Sequence, residues 1–385
     1  MTEPFPIAPS RGGSGGRKIP AVLGAALFVS AAIYVSREAD SSSAEAFAED
    51  EKGQKVQAPP ANATAAANAF LEALDAAQRD KAQYEFGSEK KSAWSNLPVS
   101  FVPRNGVRLG DLTKEQRAKA MDVVASVLSR DGYQKVIDIM DGDQKLTENE
   151  GKGGGKGKDG GKGKDGKGKD GKGGPLFGKD LYYLAIFGKP SETKPWMVQF
   201  GGHHLGVNVT VIGKNFVLTP THTGAQPALF KRGDAEVRPL GRESDAAYKL
   251  IAALDEKQRA QAVIGGQPQQ ELLLGPGRDG KTIDPKGVKG SALTADQQAL
   301  LLDVIAAWVN IVESDAAAAR LAAIKEKIGD TYFAWSGPTE KGKAAYFRVQ
   351  GPAVVIEYAP QGGTDHIHTV IRNPEDDYGA GLLKK

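Results

Sequence analysis

Apolar positions along this chain fall into three spacings, and each predicts a different kind of element. The first is an unbroken run. Ile19–Val35 (IPAVLGAALFVSAAIYV) carries no charge and follows Arg11, Arg17 and Lys18. A basic leader ahead of an apolar stretch is the layout of an export signal or a membrane anchor. Small-residue cleavage patterns at Ala44-Glu45-Ala46 and Ala46-Phe47-Ala48 lie about ten residues beyond the run, far for signal peptidase. The run therefore predicts an uncleaved single-pass transmembrane anchor at 19–35, with a short cytoplasmic leader (1–18) and the bulk of the chain outside, in the cell envelope. The second spacing is helical. Met121, Val124, Val127 and Leu128 recur behind Thr113, and Leu301, Val304, Ile305 and Trp308 recur behind Thr294. Each threonine has a glutamine three residues on, Gln116 and Gln297, which completes a capping box. The third is alternation, which predicts strands over 181–187, 196–200, 204–212 and 215–219, and again over 331–335, 344–350, 353–358 and 367–371. Gly213-Lys214 makes a tight turn between two of them.

The helical and alternating stretches match one another in pairs. Leu71–Arg79 resembles Ile251–Arg259, and the Leu112-Thr113 segment resembles Leu293-Thr294. Tyr182–Gly188 resembles Tyr332–Gly337, and Phe200-Gly201 resembles Gln350-Gly351. These matches predict an α+β domain of two tandem repeats, 61–230 and 231–385. Each repeat would consist of helices followed by a small antiparallel sheet, and the two would pack about a pseudo-twofold. The seam between repeats is then the first place to look for a ligand site. Residues 36–60, rich in Ser, Glu, Ala and Pro, read as a disordered stalk. Residues 151–174, with 13 Gly, 8 Lys and 3 Asp and no counterpart in the second repeat, read as a disordered insertion.

That insertion changes how the charge is read. The chain has a formal net charge of +3, but the insertion holds more positive charge than that. The rest is slightly acidic, which argues against a nucleic-acid partner. The insertion itself is a candidate polycationic arm for anionic envelope polymer or lipid, against the plainer reading of a tolerated surface-loop expansion. The absence of cysteine excludes disulfides, thiolate metal sites and cysteine nucleophiles.

Candidate chemistry rests on five histidines, His203, His204, His222, His366 and His368, none of them in a helical stretch. Neutral imidazole is the commonest metal ligand where no thiolate competes. His366 and His368 are two apart, so in a strand both leave the same face. His203 and His204 must diverge. His203 shares a face with Leu205, Val207 and Val209, and His204 shares the wetter face with Asn208 and Thr210. The candidate ligand set is therefore His204, His366 and His368, with Glu357 as carboxylate and His203 as a further neighbour. Asp365 or Thr221 would orient a ring from behind. Such a set suits Zn²⁺, Fe²⁺ or Cu²⁺, in a metal-dependent hydrolase or oxygenase. The competing reading is a non-catalytic envelope-binding module that uses the insertion.

Other motifs fail on spacing. Asp138, Asp141, Asp143 and Glu148 suggest a calcium loop, but Leu146 stands where the turn glycine is needed and Lys152 where the closing carboxylate belongs. Ser336 lacks the nucleophile elbow and caps a turn instead. Arg348 and Arg372 flank the His-x-His segment and could hold an anionic substrate, but surface salt-bridging is the preferred reading.

Several of these stretches also carry a resemblance. LDxxQR (Leu74–Arg79), GGHHLGVN (Gly201–Asn208), FAWSG (Phe333–Gly337), QGPAVVIEY (Gln350–Tyr358) and DHIHTVIRNPEDDYG (Asp365–Gly379) resemble the bacterial family catalogued as domain of unknown function 3500. The resemblance implies an exported protein in which the His-His and His-x-His segments belong to the family pattern. It brings no assigned activity. His222 falls outside that pattern and ranks below the other four.

Overall fold

Helix α1 (Ala63–Ala73) begins where the Asn62 side chain accepts from the Ala65 N–H at 2.9 Å, and it buries Ala66, Ala67, Phe70 and Leu71 on one face. It breaks at Leu74, and Asp75 restarts the chain as α2 (Ala76–Ala82) through a capping box with Gln78. Thr113 caps α3 (Lys114–Val127) with Gln116 as its box partner. The second half repeats this local chemistry. Asp255 and Gln258 cap α6 (Glu256–Ala262), which follows α5 (Gly241–Ala253), while Thr294 and Gln297 cap α7 (Ala295–Val309). In both halves the two box glutamines also bond each other. Gln116 donates to Gln78 at 2.8 Å and Gln297 donates to Gln258 at 2.7 Å, tying consecutive helices together. The remaining helices are α4 (Arg130–Lys152) and α8 (Ser314–Glu326).

The computed structural model describes residues 62–152 and 177–383, all within one compact unit. Its strands are β1 (Gln83–Tyr84), β2 (Val107–Arg108), β3 (Tyr183–Phe187), β4 (Trp196–Gly201), β5 (Leu205–Ile212), β6 (Asn215–Val217), β7 (Thr221–Ala225), β8 (Phe230–Arg232), β9 (Ala235–Val237), β10 (Val263–Gly265), β11 (Val288–Lys289), β12 (Tyr332–Ser336), β13 (Tyr346–Gln350), β14 (Val355–Pro360) and β15 (Ile367–Arg372). Thirteen of them form one mixed sheet whose main path runs β1-β3-β4-β5-β7-β15-β14-β13-β12-β10. β8 and β9 make a separate hairpin. Two small antiparallel sheets, one behind each set of helices, were expected, and this expectation is corrected. β7 and β15 pair antiparallel, with Thr223 opposite Thr369, and fuse the halves into a single sheet. Left apart, each strand would present an open edge of unpaired N–H and C=O groups, and pairing the two edges removes both. The outermost pairs, β1·β3 and β10·β12, are parallel, so the sheet is mixed.

Alternation sets the two faces. Leu184, Ile186, Val198, Phe200, Val207 and Val209, with Phe333, Trp335, Phe347, Val349 and Ile356, pack in one cluster with the apolar stripes of the helices. The opposite face carries Gln199, Asn208, His222, Arg348, Glu357 and His368, all buried. Long loops over 85–106 and 266–287 hydrogen-bond to that polar face. A helical layer on one side and a loop layer on the other thus leave a buried polar stratum under the loops.

The membrane and envelope expectations are also corrected. Among the described residues no helix is long and apolar enough to cross a membrane. Segment 19–35, on which the anchor was placed, lies outside the described residues, as do the leader and the stalk. α4 runs on to Lys152, and the rest of the Gly-Lys-Asp insertion lies outside them too. No described feature supports a membrane, lipid or envelope-polymer partner, or an envelope location, and these are not carried further.

Candidate metal centre

The site forms where β5, β7 and β15 lie side by side. Gly224 of β7 stands opposite His368 of β15, and its N–H donates to the His204 carbonyl at 2.7 Å just ahead of β5. His204 and His368 therefore flank a residue with no side chain, and their rings close over it. A Cβ at position 224 would lie 3.0 Å from His204 Cδ2 and 3.2 Å from His368 Cδ2, so any larger residue would push on the two rings. His366, just ahead of β15 and two residues from His368, adds the third ring. His204 Nε2 is 3.0 Å from His366 Nε2, which is 3.0 Å from His368 Nε2. The ring planes of His204–His366 and His366–His368 stand at 83° and 89°. Three nitrogens thus face a common point, and they can hold a metal ion.

Behind the trio lie groups that fix its rings. The Nδ1 of His204 is 2.6 Å from Asp143 Oδ1, and the Tyr182 hydroxyl donates to Asp143 Oδ2 at 2.7 Å. A carboxylate that accepts from Nδ1–H keeps the proton on that nitrogen and leaves the Nε2 lone pair free for a cation. The Asn96 amide nitrogen lies 3.0 Å from His368 Nδ1. Only the opposite amide orientation, with the oxygen accepting from Nδ1–H, would leave His368 Nε2 free for a cation. His203 stacks on Phe177 with ring centroids 4.4 Å apart, and its Nδ1 is 3.4 Å from Asp143 Oδ1.

Burial and mutual repulsion keep His203, His222, His366 and His368 uncharged at neutral pH. Burial, then the neighbouring His204, push His366 down to about 3. Burial lowers His203 to about 4 and His222 to about 3. Burial together with the surrounding histidines carries His368 well below its ordinary value. For Asp143, burial alone would raise the pKa, but His204 and His203 outweigh it and hold the carboxyl below the usual range. Neutral imidazole is the form that binds metal.

The Protein of unknown function (DUF3500) family has a sequence model that matches residues 56–380. The chain belongs to the DUF3500 family. Neither a curated protein nor a solved structure matches it.

Among the candidates in this DUF3500 chain, His204, His366 and His368 come together and His203 lies beside them. Glu357 does not join them. It accepts the Leu273 and Leu274 N–H groups at 2.9 and 2.7 Å and the Tyr346 hydroxyl at 2.7 Å, and so anchors loop 266–287. Asp365 and Thr221 orient no ring. Asp365 accepts the Ala228 N–H, and Thr221 donates to the Leu218 carbonyl. Arg348 and Arg372 are buried and bond loop carbonyls, so they are not surface residues. Asp138 and Asp141 pair with Arg232, away from any calcium loop. Ser336 accepts from the Gln269 N–H. A cleft lined by Phe216, Leu218, Val309, Val312 and Arg320 includes none of the histidines.

Sequence reasoning weighed Asp143 only for a calcium loop and did not join it to the histidines, although a signal was present. Asp143 falls on the stripe Val136, Ile139, Met140 of α4, at the next helical step, and it is 1% exposed. A carboxylate on an apolar stripe needs a buried partner, and here that partner is His204.

Proposed function

We propose that this DUF3500 chain is a transition-metal protein whose ion is held by Nε2 of His204, His366 and His368, with Asp143 orienting His204. A single observation carries the reading. His366 Nε2 lies 3.0 Å from both His204 Nε2 and His368 Nε2. A neutral imidazole nitrogen holds either a proton or a lone pair, so His366 Nε2 can form only one of those contacts as a hydrogen bond. A cation between the rings satisfies all three nitrogens at once. Two nitrogen donors on a tetrahedral ion with bonds of about 2.0–2.1 Å sit about 3.3 Å apart. The spacing of the trio is close to that.

The donor set narrows the choice of metal. With Glu357 committed to loop 266–287, three neutral imidazoles suit Zn²⁺ or Cu²⁺ better than Fe²⁺, whose oxygenase sites use two His and a carboxylate. Such an ion acidifies a bound water for hydrolysis or, as copper, takes part in oxygen chemistry. His366 is the most exposed of the three rings, so it marks the side from which small molecules reach the ion.

Metal analysis of the purified full chain tests this, after aerobic preparation and separate addition of Zn²⁺, Cu²⁺ and Fe²⁺. About one equivalent of zinc or copper is expected, and it is lost in His366→Ala. Less than about a tenth of an equivalent of each metal would sink the proposal and leave the trio a buried hydrogen-bonded cluster.

A further inference from the structure

Segment 94–104 of loop 85–106 runs beside the trio, where Asn96 reaches His368. Apolar burial does little to hold it there, since Leu97 and Phe101 are exposed. Arg104 does more. Its guanidinium donates to the carbonyls of Ser95 (at 2.9 Å), Leu97 and Val102. It also donates to the Gly202 carbonyl, at 2.8 Å from Nη2 and 3.2 Å from Nε. All of these acceptors belong to the main chain, and no carboxylate acts on Arg104. Burial pushes its pKa down to about 10, so it stays charged at neutral pH. Taking a cation out of water without a counter-ion is costly. A planar fork spread over four carbonyls offsets that cost, and it fixes the geometry of whatever carries them.

What carries them is the support of two ligands. Ser95 and Leu97 flank Asn96, whose amide meets His368 Nδ1. Gly202 directly precedes His203-His204, and a Cβ there would lie 3.0 Å from the ring of Tyr182, the residue that holds Asp143. One guanidinium thus ties the loop over His368 to the turn that leads into His204. The other half of the sheet fastens its loop in a related way, but with charge to spare. Arg372 bonds the Leu274 and Gly275 carbonyls of loop 266–287, and it also pairs with Asp279 and Asp377. Beside the imidazoles the arginine pin recurs without those carboxylates.

We infer that Arg104 is a positioning residue of the metal centre, which sets Asn96 against His368 so that the amide oxygen accepts from Nδ1–H and the Nε2 lone pair faces the ion. This rests on the reading of His204, His366 and His368 as a metal site, and it adds a residue that touches none of the three rings. Arg104 acts through Asn96. With the carbonyls on either side of it pinned, Asn96 keeps its place while its amide turns to suit the bound ion. Lysine in place of Arg104 keeps the charge but cannot span four carbonyls.

A double-mutant cycle on the Zn²⁺ affinity of the full chain tests this. Asn96→Ala should raise the dissociation constant about tenfold, and Arg104→Lys should raise it by a similar factor. In the Asn96→Ala background, Arg104→Lys should add less than about threefold, because the residue it acts through is gone. A merely structural role would weaken both backgrounds alike. Equal factors in the two backgrounds, or an Arg104→Lys protein within about twofold of wild type, overturn the inference. Where Arg104→Lys fails to fold, nitrogen-15 resonance of the wild type decides. Zn²⁺ should shift the Asn96 side-chain amide signals, assigned by their loss in Asn96→Ala, and signals that stay in place overturn the inference. A wild-type chain that binds no Zn²⁺ or Cu²⁺ at all would instead sink the metal reading itself, so the two failures are distinguishable.

Discussion

The two halves of the polar sheet face use one register for opposite purposes. In the first half Gln199 faces Asn208, and in the second Arg348 faces Glu357. The neutral amides make a short-range net. Gln199 donates to Asn208 and to the Lys91 carbonyl, each at 2.8 Å, and Asn208 donates to the Pro220 carbonyl at 2.7 Å. The charged residues reach further and latch a loop. Glu357 takes two backbone N–H groups, and Arg348 and Arg372 take carbonyls from loop 266–287. Charge thus goes where a long loop must be pinned, and uncharged donors go where imidazoles must stay neutral. A fixed carboxylate among the five rings would favour their protonation and compete for the cation. The one that is present, Asp143, bonds the far nitrogen of His204.

If Glu357 is a latch and not a ligand, removing it should cost stability and leave metal binding alone. Glu357→Ala strands two backbone N–H groups and the Tyr346 hydroxyl under the loop, a loss of about 3–5 kcal/mol. Urea unfolding should show this, while copper or zinc stoichiometry at low temperature stays at one equivalent. A variant of wild-type stability that no longer binds metal would reverse the assignment and return Glu357 to the site.

The same contrast explains how much the sequence revealed. Helix caps were legible because a capping box spans four residues, as at Thr113–Gln116 and Thr294–Gln297. The shared face of His366 and His368 was legible from period two, and the companionship of His204 with Asn208 and Thr210 came from the same rule. β7 was not. Thr221–Ala225 is buried on both faces and carries no apolar-polar alternation, yet it is the strand that joins the sheets. Glu357 does share the histidine face, since it opposes Val370 two residues from His368. What withdraws it is a pair of loop amides more than eighty residues away, which no local pattern announces. Asp143 was visible as a carboxylate on an apolar helical stripe, but its neighbours Asp138 and Asp141 drew attention to calcium instead.

Acid should separate the halves next. His203 and His222 have folded values near 4 and 3, below the ordinary 6.5, so the unfolded chain binds more protons between those limits. Stability from keeping these rings neutral is therefore full above about pH 6.5 and is lost as pH falls towards 4. The groups facing them are His204, Arg104 and Asp143. His204 and Arg104 work against protonating the rings, and Asp143, beside His203, favours it while it stays ionised. For the two rings together, going from pH 6.5 to 5 should cost about 3 kcal/mol in the metal-free protein. Hydrogen exchange should show β5, β7 and β15 opening before β12 and β13. Uniform loss of protection, or a melting temperature flat from pH 7 to 5, would break the claim that the imidazoles are the acid-sensitive element.

The finest test concerns the group furthest from the proposed ion. Tyr182 touches none of the trio, but its hydroxyl holds Asp143 Oδ2 while Oδ1 faces His204. In Tyr182→Phe the ring still packs against Phe200, so the change removes one hydrogen bond and little volume. A buried carboxylate that loses one of its donors costs about 1–2 kcal/mol, and its remaining bond to His204 should tighten in compensation. The tautomer of His204 is therefore kept, and metal affinity should shift by only about two- to threefold, whereas Asp143→Asn should cost roughly 10- to 100-fold. Calorimetric titration with Zn²⁺ compares the two variants directly. Equal losses in both would mean that the hydroxyl, not the carboxylate, sets the ring. No loss in Asp143→Asn would mean that the trio needs no orienting partner, and the helix carrying Asp143 would then matter to the fold alone.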